Sequence, residues 1–97
     1  MIIPSSFVAK NPIQLLVITP HGVVIDQKVD LVTVTTSQGQ IGLLHGRMPF
    51  VASLLSGAIR YHTHGQVKTF TTTGGLVYSQ PQLLKIISDQ VTLSQKV

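Results

Sequence analysis

The sequence predicts an all-β domain, a sandwich or a barrel, built from about ten short and mostly antiparallel strands. Val, Ile and Thr supply 31 of the 97 residues, and these β-branched types fit pleated sheets and are stiff in helices. Strand-like runs recur at roughly 8–12-residue spacing with turn signals between them. In addition, no segment carries apolar residues at i, i+3, i+4 and i+7 between helix caps.

The first half of the chain alternates apolar runs with turn residues. The sequence Pro20-His21-Gly22 ends the first run, and Ser37-Gln38-Gly39 is a second turn. Residues 29–36 carry apolar side chains at both parities, so we expect both faces of that strand to be partly covered. Residues 45–49 form a loop. The strands predicted in this half are residues 13–19, 23–25, 29–36, 40–44 and 50–55.

The second half predicts two hairpins and a bend. His64-Gly65-Gln66 and Ser88-Asp89-Gln90 each separate two strand-like runs, which is typical of a hairpin connection. Gly74 and Gly75 interrupt the pattern and predict a structural turn, either a bulge or a tight bend. The strands predicted in this half are residues 58–63, 67–72, 76–78, 83–87 and 91–93.

The length of the chain predicts one domain with a short extension before it. Residues 1–12 contain Pro4 and Pro12 and are expected to lie outside the core, whereas residues 13–97 form the domain. No apolar run reaches the roughly 18–20 residues that a spanning helix needs.

The charge pattern excludes several classes of function. Charged residues make up 10% of the chain, and the only acids are three aspartates. The net charge is +4, but the seven bases are scattered singly, whereas nucleic-acid binders concentrate them on one stripe. We therefore expect no nucleic-acid partner. The absence of cysteine excludes disulfides, thiolate nucleophiles and cysteine-ligated zinc.

Candidate catalytic and metal-binding motifs are weak. On a strand, His62 and His64 would share a face and could begin a metal site, but nothing fixes further ligands near them. The favoured interpretation is two polar residues on the outside of a hairpin. No G-x-S-x-G motif is present, and Gly74-Gly75 is followed by Leu76 and Val77 rather than by the lysine of a phosphate-binding loop. The sequence thus predicts a protein without catalysis, cofactor or metal.

The most informative stretch runs from residue 37 to residue 51, where three glycines and Pro49 interrupt an apolar segment. Gly39, Gly42 and Gly46 permit backbone conformations that other residues avoid. The apolar side chains of Met48 and Phe50 fit a partner-facing surface, and they fit the core equally well.

Four blocks carry a family resemblance through their order and spacing. They are Leu15-Leu16-Val17-Ile18-Thr19-Pro20-His21-Gly22-Val23-Val24, then Val29-Asp30-Leu31-Val32-Thr33-Val34, then Gly39-Gln40-Ile41-Gly42-Leu43-Leu44-His45-Gly46-Arg47-Met48-Pro49, and finally Thr73-Gly74-Gly75-Leu76-Val77 with the closing strands to Leu93. Together they resemble the N-terminal β-sandwich domain of the epsilon subunit of F-type ATP synthases, which is called delta in mitochondria.

The resemblance implies a fold, a function and a set of partners. The fold would be a β-sandwich, and the function a non-catalytic part of the rotor that couples the gamma subunit to the membrane c-ring during proton- or sodium-driven ATP synthesis. The catalytic alpha/beta hexamer would be reached indirectly and the membrane only through the complex, on the cytoplasmic face of a bacterial inner membrane. The resemblance places Gly39, Gln40, Ile41 and Gly42 in a loop facing the c-ring, and it places four residues against gamma: Arg47, Met48, Pro49 and Ala52.

The chain departs from the family pattern at several positions. Gln40 stands where the family usually has Glu, and Tyr78-Ser79 stands where Glu-Val is usual. The family continues into a C-terminal helical hairpin that can inhibit ATP hydrolysis, and we expect that arm to be missing because the sequence stops at Val97. Two alternatives remain open: a free-standing β-sandwich module that binds nucleic acid or a glycan, and a small metal enzyme using His62 and His64.

Overall fold

The computed structural model describes residues 11–46 and 49–93, which form ten β-strands and no helix. This confirms the predicted all-β class. In chain order the strands are β1 (Ile13–Thr19), β2 (Gly22–Val29), β3 (Leu31–Thr36), β4 (Gly39–Leu43), β5 (Phe50–Leu54), β6 (Gly57–Thr63), β7 (Gln66–Thr72), β8 (Gly75–Ser79), β9 (Leu83–Ile87) and β10 (Val91–Leu93). Every pairing is antiparallel except that of β1 with β9, which is parallel.

The strands form two layers of a sandwich. The order along the sheet is β10-β7-β6-β3-β5-β8-β9-β1-β2, and β4 pairs with β3 beside this path. Strands β3 and β5 pair through one register pair, Thr36 with Leu54. The Leu55 N–H also donates a hydrogen bond to the Thr35 carbonyl at 3.0 Å. The sheet folds over at this narrow join. Strands β10, β7, β6, β3 and β4 form the first layer, and strands β5, β8, β9, β1 and β2 form the second.

The core lies between the two layers. Alternation places every second residue of β1 inward, so that Ile13, Leu15 and Val17 have no exposed surface. The first layer contributes Val32, Val34, Leu43, Ile59, Tyr61 and Phe70, and the second contributes Val77, Leu84 and Ile86 to the same cluster. Two inner faces packed on one cluster are the arrangement of a β-sandwich.

The division between β2 and β3 differs from the predicted one. The sequence pattern suggested a strand over residues 23–25 and another over residues 29–36. Instead, β2 runs on through Asp26, Gln27 and Lys28, and the break falls at Asp30. Asp30 is buried, and its N–H donates to the His62 carbonyl of β6 at 2.7 Å. This long-range bond fixes the position of the break. The outer face of β3 is partly covered, as expected: Leu31 is buried there, whereas Thr33 and Thr35 are half-exposed, and Val32 and Val34 are buried on the core side.

The predicted closing hairpin of residues 83–93 is wrong. Strand β9 pairs with β1 and β8 in the second layer, whereas β10 pairs with β7 in the first. Residues 88–90 therefore cross between the layers. The Ser88 N–H donates to the Ile18 carbonyl at 3.0 Å, and the Thr73 N–H donates to the Gln90 carbonyl at 3.3 Å. Each end of the crossing is thus bound to a different layer, and β10 places Val91 against the core.

Two connections depend on left-handed backbone conformations. His64 (φ 52°) and Gly65 (φ 74°) form the two-residue turn that joins β6 to β7, which is the predicted hairpin. Gly74 and Gly75 lie where the chain bends from β7 into β8, with φ values of 104° and 143°. A Cβ on Gly75 would lie 2.0 Å from the Ile87 carbonyl oxygen. Only glycine lets the backbones of β8 and β9 approach so closely at this bend.

Candidate interaction surface

The second layer presents an apolar outer surface. The pairing register aligns its outward side chains in two rows across the five strands: Ser53, Leu76, Ile87, Ile18 and Val23 in one row, and Val51, Tyr78, Lys85, Leu16 and Asp26 in the next. Leu83 of β9, Gln14 of β1 and Lys28 of β2 belong to a third row. We define the apolar outer surface by nine of these residues: Leu16, Ile18, Val23, Val51, Leu76, Tyr78, Leu83, Lys85 and Ile87.

Several of these apolar side chains are unusually exposed. Val51 is 64% and Val23 is 56% exposed, and these two lie on the outermost strands of the layer. Ile87 and Leu76 pair across β9 and β8 and are 39% and 38% exposed. Single exposed apolar residues are normal, but a contiguous set marks a binding surface.

The first layer presents a different outer surface, which is mainly polar. The register aligns Thr33, Arg60 and Thr69 in one row and Ala58, Thr71 and Thr92 in another. We call these six residues the polar outer surface. Beside them Leu31, which is buried, pairs with His62. The sandwich is therefore two-sided, and among the described residues the broad exposed apolar face belongs to the second layer.

The segment that the resemblance describes as a loop facing the c-ring is an edge strand in the structure, which agrees with the strand predicted from the pattern over residues 40–44 and corrects its description as a loop. Residues 39–42 belong to β4, which pairs only with β3 among the described strands. Gln40 is exposed and pairs with Thr35, whereas the Ile41 side chain packs against the core. A Cβ on Gly42 would lie 3.5 Å from Leu31 Cδ1.

The turn before this strand is held by Thr36. Its hydroxyl donates to the Gly39 carbonyl at 3.0 Å and accepts from the Gln38 N–H at 3.1 Å. These bonds position Gly39, which has a φ of 113°, and they leave Gln40 projecting beside the turn. The contact of this segment with a c-ring stays a prediction.

The predicted gamma-facing residues occupy different environments. Arg47 and Met48 lie outside the described residues. Pro49 is exposed in the loop before β5, but Ala52 is half-buried and packs against the core. Its neighbour Val51 lies on the apolar outer surface instead. The contact of Pro49 and Ala52 with gamma stays a prediction. Of the two neighbours, Val51 has a more accessible side chain than Ala52.

The two histidines singled out in the sequence do not share a strand face. His62 is buried on β6, only 6% exposed, and His64 lies in the turn that follows. Among residues 11–46 and 49–93, no group of three His, Cys, Asp or Glu side chains could hold a metal ion. The expectation of two polar residues outside a hairpin fits His64 but is wrong for His62, because the pairing with Leu31 places His62 in a covered position.

Sequence reasoning missed the apolar outer surface, although a signal for it was present. Strand β9 reads Leu83-Leu84-Lys85-Ile86-Ile87, with apolar side chains at both parities. Strand β1 shows the same pattern over residues 15–18. Antiparallel sheets with one solvated face alternate apolar and polar residues, so apolar residues on both faces indicate a second covered or binding face.

The described residues contain no helix long and apolar enough to cross a membrane.

Comparison with known proteins gives one consistent family. Residues 12–94 match the family model described as the ATP synthase delta/epsilon chain, β-sandwich domain. The chain is 33% identical over 85 residues to an ATP synthase epsilon chain of Bacillus pumilus, covering 88% of this chain and 65% of the relative. It is 29% identical to the corresponding protein of Bacillus subtilis, covering 88% of this chain and 64% of the relative. The chain thus spans less than two thirds of the length of these relatives.

Two solved structures share the fold. A chain in the mitochondrial ATP synthase of Euglena gracilis, determined with its OSCP, F1 and c-ring parts, superposes with a TM-score of 0.80 at 18% identity. The match covers 88% of this chain and 55% of that chain. A chain of the central stalk and c-ring structure from Tetrahymena thermophila superposes with a TM-score of 0.71 at 17% identity, covering 86% and 67% of the two chains.

Proposed function

The chain belongs to the family of ATP synthase delta/epsilon chain β-sandwich domains, and on that basis we propose that it is a non-catalytic subunit of the central stalk of a rotary ATP synthase. In this role it connects the gamma subunit to the c-ring, so that rotation driven by ions crossing the membrane reaches the catalytic alpha/beta hexamer. It reaches the hexamer indirectly and the membrane only through the complex. Its place is the cytoplasmic side of a bacterial inner membrane.

The apolar outer surface is the observation that carries this proposal. Five strands at a spacing of about 4.8 Å and five residues at about 3.3 Å each give this face an area of roughly 400 Å². A specific interface buries about 800 Å² on each partner. The apolar outer surface therefore supplies the centre of an interface, and the loops around it supply the rim. We assign this centre to gamma. Because the centre is apolar, we expect this contact to keep its strength in the presence of salt.

The edge strand β4 is assigned to the c-ring. Gln40 is exposed there and can exchange hydrogen bonds with a polar loop. A neutral amide bonds about half as strongly as a carboxylate paired with arginine. The contact of this chain with its c-ring is therefore expected to depend little on ionic strength.

A stiff body suits the transmission of torque. The described core is close-packed between two layers, and Phe70, Leu15, Leu84 and Ile86 have no exposed surface. The radius of gyration of 12.3 Å is that of a compact domain of this length. Such a body rotates as a unit when gamma turns, rather than absorbing the motion in a flexible joint.

The test is co-elution with the cognate gamma subunit on a sizing column, at low and at high salt. We expect a one-to-one complex that survives high salt. The Val51→Asp variant should lose the complex, because it places an unpaired carboxylate in the apolar outer surface. The matched control is Thr71→Asp, which adds the same charge to the polar outer surface and should leave the complex intact.

Both variants change exposed residues, and their folding is checked by circular dichroism. Folded wild-type chain that fails to associate with gamma would refute the proposed function. Loss of the complex in the Thr71→Asp variant alone would move the gamma contact to the first layer.

A further inference from the structure

A single lysine lies at the centre of the apolar outer surface. Strand β9 is the middle strand of the second layer, and Lys85 is the middle residue of β9. We propose that the partner bound at this surface presents a carboxylate side chain opposite Lys85, which pairs with the ammonium group when the interface closes. This inference rests on the proposed function, because it assigns the surface to gamma.

The four nearest neighbours of Lys85 on the sheet are apolar or aromatic. The register pairs it with Tyr78 of β8 on one side and with Leu16 of β1 on the other. Leu83 and Ile87 flank it on the same face of its own strand. Lys85 is half-buried among these neighbours. Its ammonium group is therefore directed away from the sheet, toward whatever covers this face.

None of the three acidic side chains in the sequence is a neighbour of Lys85 in the sheet. Asp26 lies two strands away, about 10 Å at the spacing of sheet strands, and its Oδ1 accepts a hydrogen bond from Gln14 Nε2. Asp30 is buried at the break between β2 and β3. Asp89 lies beyond the end of β9, in the crossing between the two layers.

Covering this face without a counter-charge would be costly. A partner that buries the apolar neighbours removes water from the ammonium group, and an unpaired buried charge costs several kcal/mol. A carboxylate in the partner offsets this cost by a charge-assisted hydrogen bond. A partner with a cation or an apolar group opposite Lys85 would bind more weakly. The pair of Lys85 with a carboxylate therefore also selects the partner and the position in which it docks.

The occupant is a protein rather than a polyanion. Nucleic acids and anionic membranes are recognised by clusters of basic residues. Lys85 lies at the centre of the apolar outer surface, and its four nearest neighbours on that face are Tyr78, Leu16, Leu83 and Ile87. The other cation aligned on this side of the second layer, Lys28, lies at the rim on β2, opposite Gln14. One cation in the middle of a flat apolar face matches one acidic side chain in an otherwise apolar protein surface.

The test measures the Kd for the cognate gamma subunit with a set of matched variants. Lys85→Met keeps an unbranched side chain of similar length and removes its charge, and Lys85→Glu reverses the charge. Lys68→Glu makes the same reversal at an exposed position of β7 in the first layer. We expect Lys85→Glu to weaken binding on the order of 100-fold or more, Lys85→Met to weaken it on the order of 10-fold, and Lys68→Glu to leave it within about 3-fold.

The partner residue is then located by rescue. Acidic residues of gamma are changed to lysine one at a time, and one of these changes should restore binding of the Lys85→Glu variant. Wild-type chain that binds gamma while Lys85→Met binds equally well or more tightly would overturn the carboxylate proposal alone. Folded wild-type chain that does not bind gamma would overturn the proposed function and this inference together. Thermal unfolding of each variant verifies that it is folded.

Discussion

Replacing Gly75 by alanine should destabilise the domain more than any other single methyl added at a described glycine. The new Cβ would lie 2.0 Å from the Ile87 carbonyl oxygen, about 1 Å inside the closest approach of real Cβ atoms. Because Gly75 begins β8 and Leu76 pairs with Ile87, relief of this contact requires β8 and β9 to separate. The φ of 143° adds backbone strain for any residue other than glycine.

The magnitude follows from these two effects. Overpacking of a close contact costs about 1–3 kcal/mol, and an unfavourable backbone conformation costs about 1–3 kcal/mol. The sum of about 2–6 kcal/mol is a large part of the 5–15 kcal/mol that holds a typical domain together. For a domain of this length it lowers Tm by at least about 8 °C.

Thermal unfolding followed by circular dichroism measures this loss against two control variants. Gly39→Ala carries the strain without the clash, because Gly39 has a φ of 113° and nothing within 4 Å of its built Cβ. Gly42→Ala carries neither, since its Cβ would make only an ordinary contact of 3.5 Å with Leu31 Cδ1. The expected order of stability is Gly42→Ala, then Gly39→Ala, then Gly75→Ala. A Gly75→Ala variant as stable as Gly39→Ala would refute the reasoning, because the clash would then contribute nothing.

Two further predictions concern the aromatic pair in the core. Phe70 has no exposed surface, and its ring centroid lies 5.9 Å from that of Tyr61. Phe70→Ala should reduce the free energy of unfolding in urea by about 3–5 kcal/mol, whereas Leu93→Ala, at the half-exposed residue that pairs with Phe70, should reduce it by less than about 1 kcal/mol. Equal losses would contradict the assigned core. Burial raises the pKa of Tyr61 above its ordinary value of 10.0, so the stability that comes from the protonated phenol is complete below about pH 10 and is lost as the pH rises toward the folded pKa. The Tyr61→Phe variant should therefore lose stability less steeply than wild type above pH 10 in urea titrations. Identical slopes would show that Tyr61 ionises as freely in the folded protein as in the unfolded chain.

The outer surfaces of the two layers account for the low charge of the chain. Charged residues make up 10% of the sequence, against about 25% in an average domain. The described structure places threonines and Arg60 outside the first layer and leaves apolar side chains outside the second. A face of this kind is suited to permanent contact in an assembly, where depletion of charge at the centre of the interface is the common pattern.

The strands themselves were predictable because their signals are local. Seven residues of alternating burial in β1 and the two-residue turn at His64 and Gly65 are each encoded within a few positions. Strands β1 and β9 have the bounds that the sequence predicted, residues 13–19 and 83–87. Apolar periodicity and turn chemistry act over a few residues, so a single sequence carries them.

The pairing of strands was harder to predict from the sequence. The order of β9 and β10 along the chain suggested a hairpin, yet β10 crosses to β7 in the first layer. The break at Asp30 depends on a hydrogen bond to His62, 32 residues further along the chain. No local pattern records such a bond, because its partner is brought near only when the two layers close.

The amino-acid sequence determined the all-β class, most strand positions and, through the order of four blocks, the family. Tertiary structure decided which strands neighbour each other, and thereby which side chains share a face. The apolar outer surface and the position of Lys85 at its centre exist only after β5, β8, β9, β1 and β2 are aligned in register. The reason is physical: strand formation depends on neighbours along the chain, whereas a surface is made by residues that long-range pairing brings together.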